Sequence, residues 1–382
     1  MRRAQFVSQR QYIGPIEGCK AARGLHNIIK GVYPSMKKIL AVLLCAMMLL
    51  SCTAALAEKV GVAMPTKDLQ RWNQDGDNMK ALLEEAGYEV DLQFANNDVN
   101  TQLTQVQTMV DSDCDVIVIA AIEGSSLGSA LESAKAKNIP VIAYDRLLMD
   151  SDAVSYYATF DNYKVGTVQG EFVRDALDLD NAEGPFNIEF TAGDPGDNNA
   201  GFFFNGAMDV LKPYIESGKL VVPSGQTEFE QVATPTWKTD VAQKRAEDIL
   251  TANYANGENI DVWLCSNDST ALGVTNALEA NYVGTWPIIT GQDCDIQNTK
   301  NMIAGKQAMS VFKDTRTLAA QVVKMVGQIL KGEEVEVNDT ETYNNNVKVV
   351  PSFLCAPVFA NADNYQELLV DSGYYTADQL AD

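Results

Sequence analysis

The 382-residue sequence predicts an α/β fold of two doubly wound parallel-sheet lobes joined by a hinge. Short apolar runs alternate with amphipathic stretches from Lys59 onward, which is typical of parallel strands connected by helices. There are more of these strand–helix units than one ordinary sheet holds, so two sheets are expected. Because no low-complexity linker separates the two series of units, we expect several short crossings between the lobes, which make a hinge rather than a tether.

The elements of the first lobe follow from the spacing of apolar residues. Met79, Leu82 and Leu83 fall on one helical face, and Gly87 is a typical helix end. The uninterrupted apolar run at 116–120 is typical of a strand that is covered on both faces. In chain order the pattern predicts a strand at 60–64, a helix at 75–87, a strand at 88–94, a helix at 100–112, a strand at 116–120, a helix at 125–138 and a strand at 141–144.

The same rhythm then restarts and predicts the second lobe. No exact sequence repeat accompanies it, so the duplication is architectural only. In chain order it predicts a helix at 163–177, a strand at 186–190, a helix at 199–217, a strand at 220–222, a helix at 241–253, a strand at 262–265, a helix at 269–280, a strand at 288–290, a helix at 296–304, a strand at 309–312, a helix at 315–331 and a closing strand at 347–354.

Residues 36–57 have the order of a secretory signal. Two lysines follow Met36, an apolar run spans 39–50, and small residues come next. The apolar run is shorter than the ~20 residues that a transmembrane helix needs. Since a secretory signal belongs at the start of a chain, we expect residues 1–35 to be an upstream mis-start or an extension, with a long signal n-region as the alternative.

Two processing sites compete in this segment. The stretch 49–52 resembles a lipoprotein box, in which Cys52 becomes the lipid-bearing first residue, whereas 55–57 resembles a soluble signal-peptidase site. We favour the lipoprotein, and an incidental cysteine in an apolar stretch is the alternative. Either site predicts an exported protein, in the periplasm or on the outer face of the cytoplasmic membrane.

The charge of the mature chain excludes several kinds of partner. Without residues 1–57 the chain keeps 21 basic and 50 acidic residues, a formal net charge of −29. Such a charge opposes the binding of nucleic acid and of anionic lipid.

The cysteines of the mature chain do not form a metal or redox motif. Four cysteines follow Cys52, without a CxxC pair and without any histidine in the mature chain, so neither a zinc site nor a redox motif is predicted. We expect no metal and no cofactor.

Polar and aromatic side chains follow the predicted strands, at the edge where open parallel sheets bind ligands. The ten selected as ligand-binding are Lys67, Arg71, Trp72, Asp145, Arg146, Glu189, Asn199, Trp237, Asp268 and Gln292, and Asp197, Asn198, Asn267 and Asp293 stand beside them. Carboxylates and amides exchange hydrogen bonds with sugar hydroxyls, a guanidinium donates in a fixed fork, and an aromatic face packs on the C–H patches of a sugar ring. This set therefore predicts a site for a small sugar.

Each of these residues also has a simpler explanation. Asp145 and Arg146 could form only a surface ion pair, and Trp237 could be a packing residue. One of Asp197, Asn198 and Asn199 could cap a helix, and Asp268 could cap another, because aspartate and asparagine are favoured at that position. The shared location at strand ends favours the binding interpretation.

Seven stretches of the chain carry a more specific signal. They are MPTKDLQRW (64–72), VIAYDRL (141–147), VSYYATFDNYKVG (154–166), GDPGDNNA (193–200), VLKPYIESGKLVV (210–222), CSNDSTALG (265–273) and ITGQDCD (289–295). Together they resemble the pentose and hexose branch of the type I periplasmic binding proteins, which includes xylose-binding and multiple-sugar-binding receptors. The resemblance covers essentially all of residues 58–382.

This resemblance implies roles for the individual site residues. Sugar hydroxyls would bond to Arg71, Asp145, Arg146, Asn199, Asp268 and Gln292, while Trp72 and Trp237 flank the ring and Lys67 and Glu189 complete the set. The resemblance also implies three hinge crossings, near 160–162, 292–293 and 343–347. The first lobe would then comprise 58–161 and 294–344, and the second 162–293 and 345–382. The chain departs from the pattern at Cys265, at Cys294 and in the loop 234–238, which leaves the orientation of Trp237 open.

The resemblance implies capture of a monosaccharide, of the xylose, glucose or galactose type, for uptake through an ABC transporter by hinge closure. The expected partners are the sugar and the membrane permease, with a chemoreceptor as a further candidate, and the protein is expected to be a monomer. A sugar sensor for chemotaxis or signalling is the alternative. A nucleotide-dependent sugar enzyme would need GxGxxG after the first strand, where the chain reads MPTKDLQRW. A cytoplasmic sugar-responsive repressor would need a DNA-binding head where the export signal stands.

Overall fold

The structure, a computed structural model, describes residues 57–381. The predictions for residues 1–56, including the signal segment and the lipidation of Cys52, lie outside the described residues. Within 57–381, no helix is both long enough and apolar enough to cross a membrane.

Strands and helices alternate through most of the described chain. The strands are β1 Lys59–Met64, β2 Glu89–Phe94, β3 Val116–Ile119, β4 Val141–Tyr144, β5 Val154–Phe160, β6 Phe186–Thr191, β7 Leu220–Val221, β8 Val262–Cys265, β9 Ile288–Ile289, β10 Met309–Phe312, β11 Ser352–Cys355 and β12 Val358–Asn361. The helices are α1 Gln70–Glu85, α2 Val99–Asp111, α3 Gly128–Ala136, α4 Asn162–Ala176, α5 Asn198–Glu216, α6 Phe229–Val232, α7 Thr239–Asn253, α8 Asp268–Asn281, α9 Ile296–Ile303, α10 Thr315–Lys331 and α11 Ala377–Leu380.

The first lobe is built on a six-stranded sheet in the order β11-β5-β4-β3-β1-β2. All neighbouring strands in it are parallel. Successive residues of β1 face opposite layers: Val60 and Val62 pack against α1 and α10, whereas Ala63 packs against α2 and α3. Helices therefore cover both faces of the sheet, which explains why its central strands are continuous apolar runs.

The second lobe is built on a four-stranded parallel sheet in the order β7-β6-β8-β9. Helices α4 and α5 pack on one face of it, and α7 and α8 pack on the other. A parallel bridge between Gln292 and Val311 places β10 beside the chain that follows β9. Strand β12 pairs antiparallel with β10, and these two strands form a small sheet of their own.

Two strands, two short helices (α6 and α11) and the first turns of α1 were not predicted. The strands β5 and β12 had no counterpart in the sequence analysis, and α1 begins at Gln70 rather than at residue 75. The sequence Asp75-Gly76-Asp77 reads as a turn, because these residue types favour turns. In the structure Gly76 lies inside the helix, where a Cβ would come within 2.8 Å of the Phe94 ring.

Two of the expected lobe boundaries need correction, because the strand pairing does not follow them. Residues 352–355 were assigned to the second lobe but form β11, which pairs with β5 in the first sheet. Residues 309–312 were assigned to the first lobe but form β10, which pairs with β12. We propose that the lobes are joined at 160–162, 312–315 and 355–358, where the chain passes from one sheet to the other.

Candidate functional site

Residues that follow strands of both lobes gather around one cavity. The residues that line it are Leu69, Arg71, Trp72, Asp145, Arg146, Asp197, Phe203, Trp237, Asn267, Ser269, Gln292, Asp293, Asp295 and Lys313. Six of the ten sequence-predicted residues are among them, namely Arg71, Trp72, Asp145, Arg146, Trp237 and Gln292. The carboxyl-end rule for parallel sheets thus located the cavity.

Arg71, in the first turn of α1, joins carboxylates of both lobes. Its guanidinium lies 2.9 Å from the Asp75 carboxylate, 3.0 Å from that of Asp145 and 3.4 Å from that of Asp293. Only 7% of Arg71 is exposed. Burial opposes its charge, yet the three carboxylates outweigh that effect and raise the pKa of Arg71 well above its usual value. The guanidinium is therefore held in one orientation at the cavity wall.

Trp72 is buried and lies against two cations. The guanidinium carbons of Arg71 and Arg146 lie 4.6 Å and 5.0 Å from the centroid of its ring. Cations near an aromatic face are attracted by the negative charge of that face. The indole consequently fixes both arginines while it forms part of the cavity lining.

Asp145 follows β4 directly, and hydrogen bonds fix its backbone. Its carbonyl accepts from the hydroxyls of Tyr157 at 2.6 Å and Thr159 at 2.9 Å, and from the Asn199 amide. Burial alone would raise the pKa of Asp145, but the charges of Arg71 and the other nearby cations hold the pKa below its usual value. Asp145 is therefore an ionised acceptor at the cavity.

Arg146 connects the lobes on the other side of Trp72. It donates to the carbonyls of Ala121 at 3.0 Å and Ile122 at 3.2 Å in its own lobe. Its Nε lies 3.1 Å from the Asp197 carboxylate of the second lobe. The sequence alternative of a surface ion pair between Asp145 and Arg146 does not apply, because both residues are buried and each pairs with another residue.

Trp237 faces the same cavity from the second lobe. It ends a short turn, and its indole Nε1 donates to Asp197 at 3.2 Å. The ring lies so close to the backbone of Gly193 that a Cβ there would be 1.9 Å from Trp237 Cη2. These two contacts fix the orientation that the sequence had left open.

Asn199 and Asp268 lie one layer behind the cavity lining. The Asn199 Oδ1 accepts from Asn162 at 2.9 Å and lies 2.9 Å from the Tyr157 hydroxyl, and its amide nitrogen donates to the Asp145 carbonyl. Asp268 accepts from Gln307 at 2.9 Å and from Ser310 at 3.0 Å. Both side chains are therefore engaged with the protein and support the residues that line the cavity.

Asn267, rather than Asp268, caps helix α8. The Asn267 side chain accepts from the backbone N–H of Thr270 at 3.0 Å. Burial, together with the charge of Asp295, raises the pKa of Asp268 well above its usual value. The alternative that Asp268 only caps the helix is therefore wrong, because Asn267 is the cap residue. Asn267 also lines the cavity.

Glu189 and Lys67 are not among the residues that line the cavity. The Glu189 carboxylate accepts from Ser224 Oγ at 2.6 Å and from the Tyr254 hydroxyl at 2.8 Å. Lys67 is exposed, and its Nζ lies 4.8 Å from the centroid of the Phe94 ring. Glu189 points away because it lies inside β6, where neighbouring side chains alternate between faces, and not after the strand end.

Four charged residues of the lining are not among the ten predicted ligand-binding residues, namely Asp197, Asp293, Asp295 and Lys313. The sequence places Asp197 and Asp293 among the polar residues that follow strands, whereas Asp295 and Lys313 were missed. Lys313 is 3% exposed, and its Nζ lies 3.2 Å from Asp293 and 3.8 Å from Asp145. It follows β10 directly, so the same strand-end rule would have found it.

The lining offers acceptors that the protein itself leaves free. Gln292 Oε1 and Asp295 Oδ1 are shielded from water and have no hydrogen-bond partner within residues 57–381. Buried polar atoms of this kind are costly unless a partner is supplied. Hydroxyl groups of a ligand could donate to both atoms, since a hydroxyl can donate as well as accept.

Asp75 and Asp295 in this region also have raised pKa values, which lie closer to neutral pH than the usual carboxyl value. Burial, partly offset by Arg71, raises the pKa of Asp75 to about 6. Burial together with the charge of Asp293 raises the pKa of Asp295 to about 7. Between the ordinary carboxyl pKa and these values the folded protein binds more protons than the unfolded chain, so its stability falls as the pH rises through that window.

We expect Asp295→Asn to raise the melting temperature of the ligand-free protein by a few degrees at pH 8.5 and by little at pH 5. At pH 5 the Asp295 carboxyl is already neutral in the folded protein. At pH 8.5 it is ionised, and burial and the charge of Asp293 then destabilise the folded protein. Thermal unfolding of both proteins at the two pH values measures this. An equal difference at both pH values would contradict the raised pKa of Asp295.

This arrangement can enclose a small polyhydroxyl molecule without chemical change. Ion pairs and hydrogen bonds orient the charged groups, two aromatic rings supply apolar faces, and two lining residues carry acceptor atoms without a partner within residues 57–381. Among the described residues no group of histidine, cysteine, aspartate and glutamate side chains is arranged to hold a metal ion. A two-lobed fold with a cavity of this kind between its sheets is that of a solute-binding protein.

Comparison with known proteins agrees with this class. Residues 60–334 match the periplasmic binding protein domain, and the chain belongs to that family. It is 48% identical over 339 residues to the multiple sugar-binding periplasmic receptor ChvE of Rhizobium radiobacter, covering 88% of this chain and 96% of that protein. It is 35% identical over 339 residues to the D-xylose-binding periplasmic protein of Escherichia coli K12, covering 88% and 97% respectively.

A solved structure gives the same result. An ABC transporter solute-binding protein from Clostridium phytofermentans with bound β-D-glucose is 65% identical, with a TM-score of 0.84, and the match covers 85% of this chain and all of that one. The family resemblance and the type I fold predicted from the sequence are thus confirmed. These relatives are periplasmic receptors and solute-binding proteins rather than enzymes.

Proposed function

We propose that this protein captures an uncharged monosaccharide outside the cytoplasmic membrane and presents it to the permease of a sugar ABC transporter. The observation that carries the proposal is the convergence of Arg71, Asp145, Trp237 and Asp293, from both lobes, on one buried cavity. Sugar-binding relatives at 48% and 35% identity over nearly their whole length support it.

The charge balance of the cavity favours a neutral ligand. Three cations and four carboxylates line it, and each cation already lies within 4 Å of a carboxylate. A phosphate or carboxylate on the ligand would therefore meet more negative than positive charge. Hydroxyl groups, in contrast, can donate to the carboxylates without adding charge.

D-Glucose is the first candidate among the neutral sugars. The 65% identical protein of Clostridium phytofermentans holds β-D-glucose. The D-xylose-binding relative makes D-xylose the next candidate, and the multiple sugar-binding relative supports testing further neutral aldoses. We propose that the residues of the lining bind whichever aldose is present, and that Trp72 and Trp237 enclose its ring.

Ligand capture is proposed to proceed by closure of the two lobes. Arg71 contacts Asp293, and Arg146 contacts Asp197, across the cavity. A sugar that contacts both lobes stabilises the closed form only to the extent that it binds that form more tightly than the open one. No covalent step is required, so we propose no enzymatic activity.

We further propose that residues 36–57 export the protein and that Cys52 carries a lipid anchor. The sequence of this segment supports the proposal, with cleavage near residue 57 as the soluble alternative. Labelling of the expressed protein with a radioactive fatty acid distinguishes the two. Label that persists in Cys52→Ser would contradict lipidation at this cysteine.

Thermal unfolding against a panel of sugars tests the function directly. D-Glucose at about 100 times its Kd should raise the melting temperature by about 5–10 °C, because a ligand that binds only the folded protein stabilises it. Glucose 6-phosphate and glucuronate at the same concentration should raise it much less. A panel of neutral aldoses that leaves the melting temperature unchanged would contradict the proposed function.

A further inference from the structure

The C-terminal segment after β12 belongs to the second lobe. Leu369, Tyr375 and Leu380 are buried in a small apolar cluster with Phe312 of β10 and Ala360 of β12. The last helix, α11, packs against α9 of the same lobe. The segment thus moves with the second lobe when the two sheets separate.

Tyr375 in this segment reaches across to the first lobe. Its hydroxyl accepts from Gln70 Nε2 at 2.7 Å and donates to the Cys294 carbonyl at 2.9 Å. The other end of the Gln70 amide, Oε1, accepts from the backbone N–H of Ile296 at 3.1 Å. Both ends of one side-chain amide on α1 are therefore bonded to the second lobe.

These bonds lie directly behind the cavity wall. Gln70 immediately precedes Arg71 and Trp72 in α1, and Cys294 stands between Asp293 and Asp295. All four of those neighbours line the cavity, whereas Gln70, Cys294 and Tyr375 do not. The hydroxyl of Tyr375 connects the two backbone segments that present ligand-facing residues from opposite lobes.

The adjacent tyrosine adds a parallel contact. Tyr374 donates to Gln74 Oε1 at 3.2 Å, while Gln74 Nε2 donates to Tyr375 at 3.3 Å. Gln74 follows Gln70 by one helical turn on α1. The Tyr374 ring also meets Phe312 edge-on at a centroid distance of 4.8 Å. The two tyrosines therefore pair with two glutamines spaced to lie on one face of α1.

We propose that Tyr375 is a positioning residue that slows ligand release, by joining α1 of the first lobe to the 294–296 loop of the second. The proposal rests on the proposed function, because its readout is the release of a sugar. When the lobes separate, the bonds of Gln70 to Tyr375 and Ile296 must be exchanged for bonds to water. Opening, which precedes release, is thereby disfavoured, whereas capture by the open form does not involve these bonds.

Stopped-flow tryptophan fluorescence with D-glucose on the full mature protein tests this. Tyr375→Phe keeps the buried ring and removes only the hydroxyl, so we expect the dissociation rate to rise about 5- to 10-fold. The association rate should stay within about twofold, and the melting temperature of the ligand-free protein within about 2 °C. If Tyr375 had only a structural role, the variant would lower that melting temperature and would not raise the dissociation rate selectively over the association rate.

Two further variants sharpen the test. Gln70→Ala should raise the dissociation rate similarly, and the double variant should add little, because both changes break the same bridge. Tyr365→Phe is the matched control, since Tyr365 lies in the same segment and its hydroxyl makes no hydrogen bond to any residue of 57–381. It should leave both rates unchanged.

The outcomes separate this proposal from the function on which it rests. Wild-type protein that binds D-glucose, with an unchanged dissociation rate in Tyr375→Phe, would overturn the positioning role alone. An equal increase in Tyr365→Phe would also overturn it. Wild-type protein that binds no sugar of the panel would overturn the proposed function, and this proposal with it.

Discussion

Asp145→Asn should weaken sugar binding by about 10- to 150-fold while leaving the fold intact. The Asp145 carboxylate is 3% exposed and contacts Arg71 at 3.0 Å and Lys313 at 3.8 Å. Loss of a charge-assisted hydrogen bond to a buried ligand hydroxyl costs about 1.5–3 kcal/mol, and each 1.4 kcal/mol is tenfold in affinity. Isothermal titration with D-glucose measures the change.

Asparagine is the informative substitution because of the backbone at this position. Asp145 has a φ of 59°, a left-handed conformation that asparagine adopts readily. Alanine would add about 1–2 kcal/mol of strain there and would mix folding with binding. After the change Arg71 still pairs with Asp75 and Asp293, so the melting temperature of the ligand-free protein should shift by only a few degrees.

Asp178→Asn is the matched control for this variant. Asp178 also has a positive φ, of 48°, but it is exposed and lies after α4, away from the cavity. The same change of charge there should leave the affinity unchanged. Wild-type affinity in Asp145→Asn, or an equal loss in Asp178→Asn, would show that the Asp145 carboxylate does not bind the ligand.

The periodic elements could be predicted because they depend on local patterns. Strands such as β4 and β8 match the predicted bounds residue for residue, since each is a short apolar run between polar residues. Strand β5 was missed, although its apolar residues resemble those of the other strands. Ser155 and Thr159 interrupt its apolar run, and only its pairing with β4 and β11 makes it a strand.

Site residues could be predicted where their position after a strand is enough to identify them. They could not be predicted where their role depends on contacts with distant parts of the chain. Arg71 and Asp145 were found because each follows a strand. Asn199 also follows a strand, yet its side-chain amide does not line the cavity. It contacts the Asp145 carbonyl and the side chains of Tyr157 and Asn162 instead. Which strand-end residues face the cavity, and which support those that do, depends on packing between lobes that sequence spacing does not contain.

Gly193→Ala should reduce sugar affinity by at least ~100-fold through Trp237. A Cβ at residue 193 would lie 1.9–2.4 Å from three atoms of the benzo ring of Trp237, far inside contact distance. Since Gly193 is buried, the backbone has little room to move, and the indole must shift from the cavity wall. Overpacking of this kind also costs about 1–3 kcal/mol of stability.

A double variant isolates the clash from other effects of the methyl group. The three atoms nearest to the new Cβ are Cη2, Cζ2 and Cζ3 of Trp237, which a phenylalanine side chain lacks. In a Trp237→Phe background, Gly193→Ala should therefore cost little further affinity. Titration of the wild type, the two single variants and the double variant with D-glucose gives the coupling free energy between residues 193 and 237. Additive losses of binding free energy would contradict a steric origin.

Gly128→Ala provides the control for the added methyl group. Gly128 is exposed at the start of α3, and a Cβ there would meet no atom within 4 Å. Its affinity for D-glucose should equal that of the wild type. If Gly193→Ala also retained wild-type affinity, the indole of Trp237 would not form the surface on which the sugar ring rests.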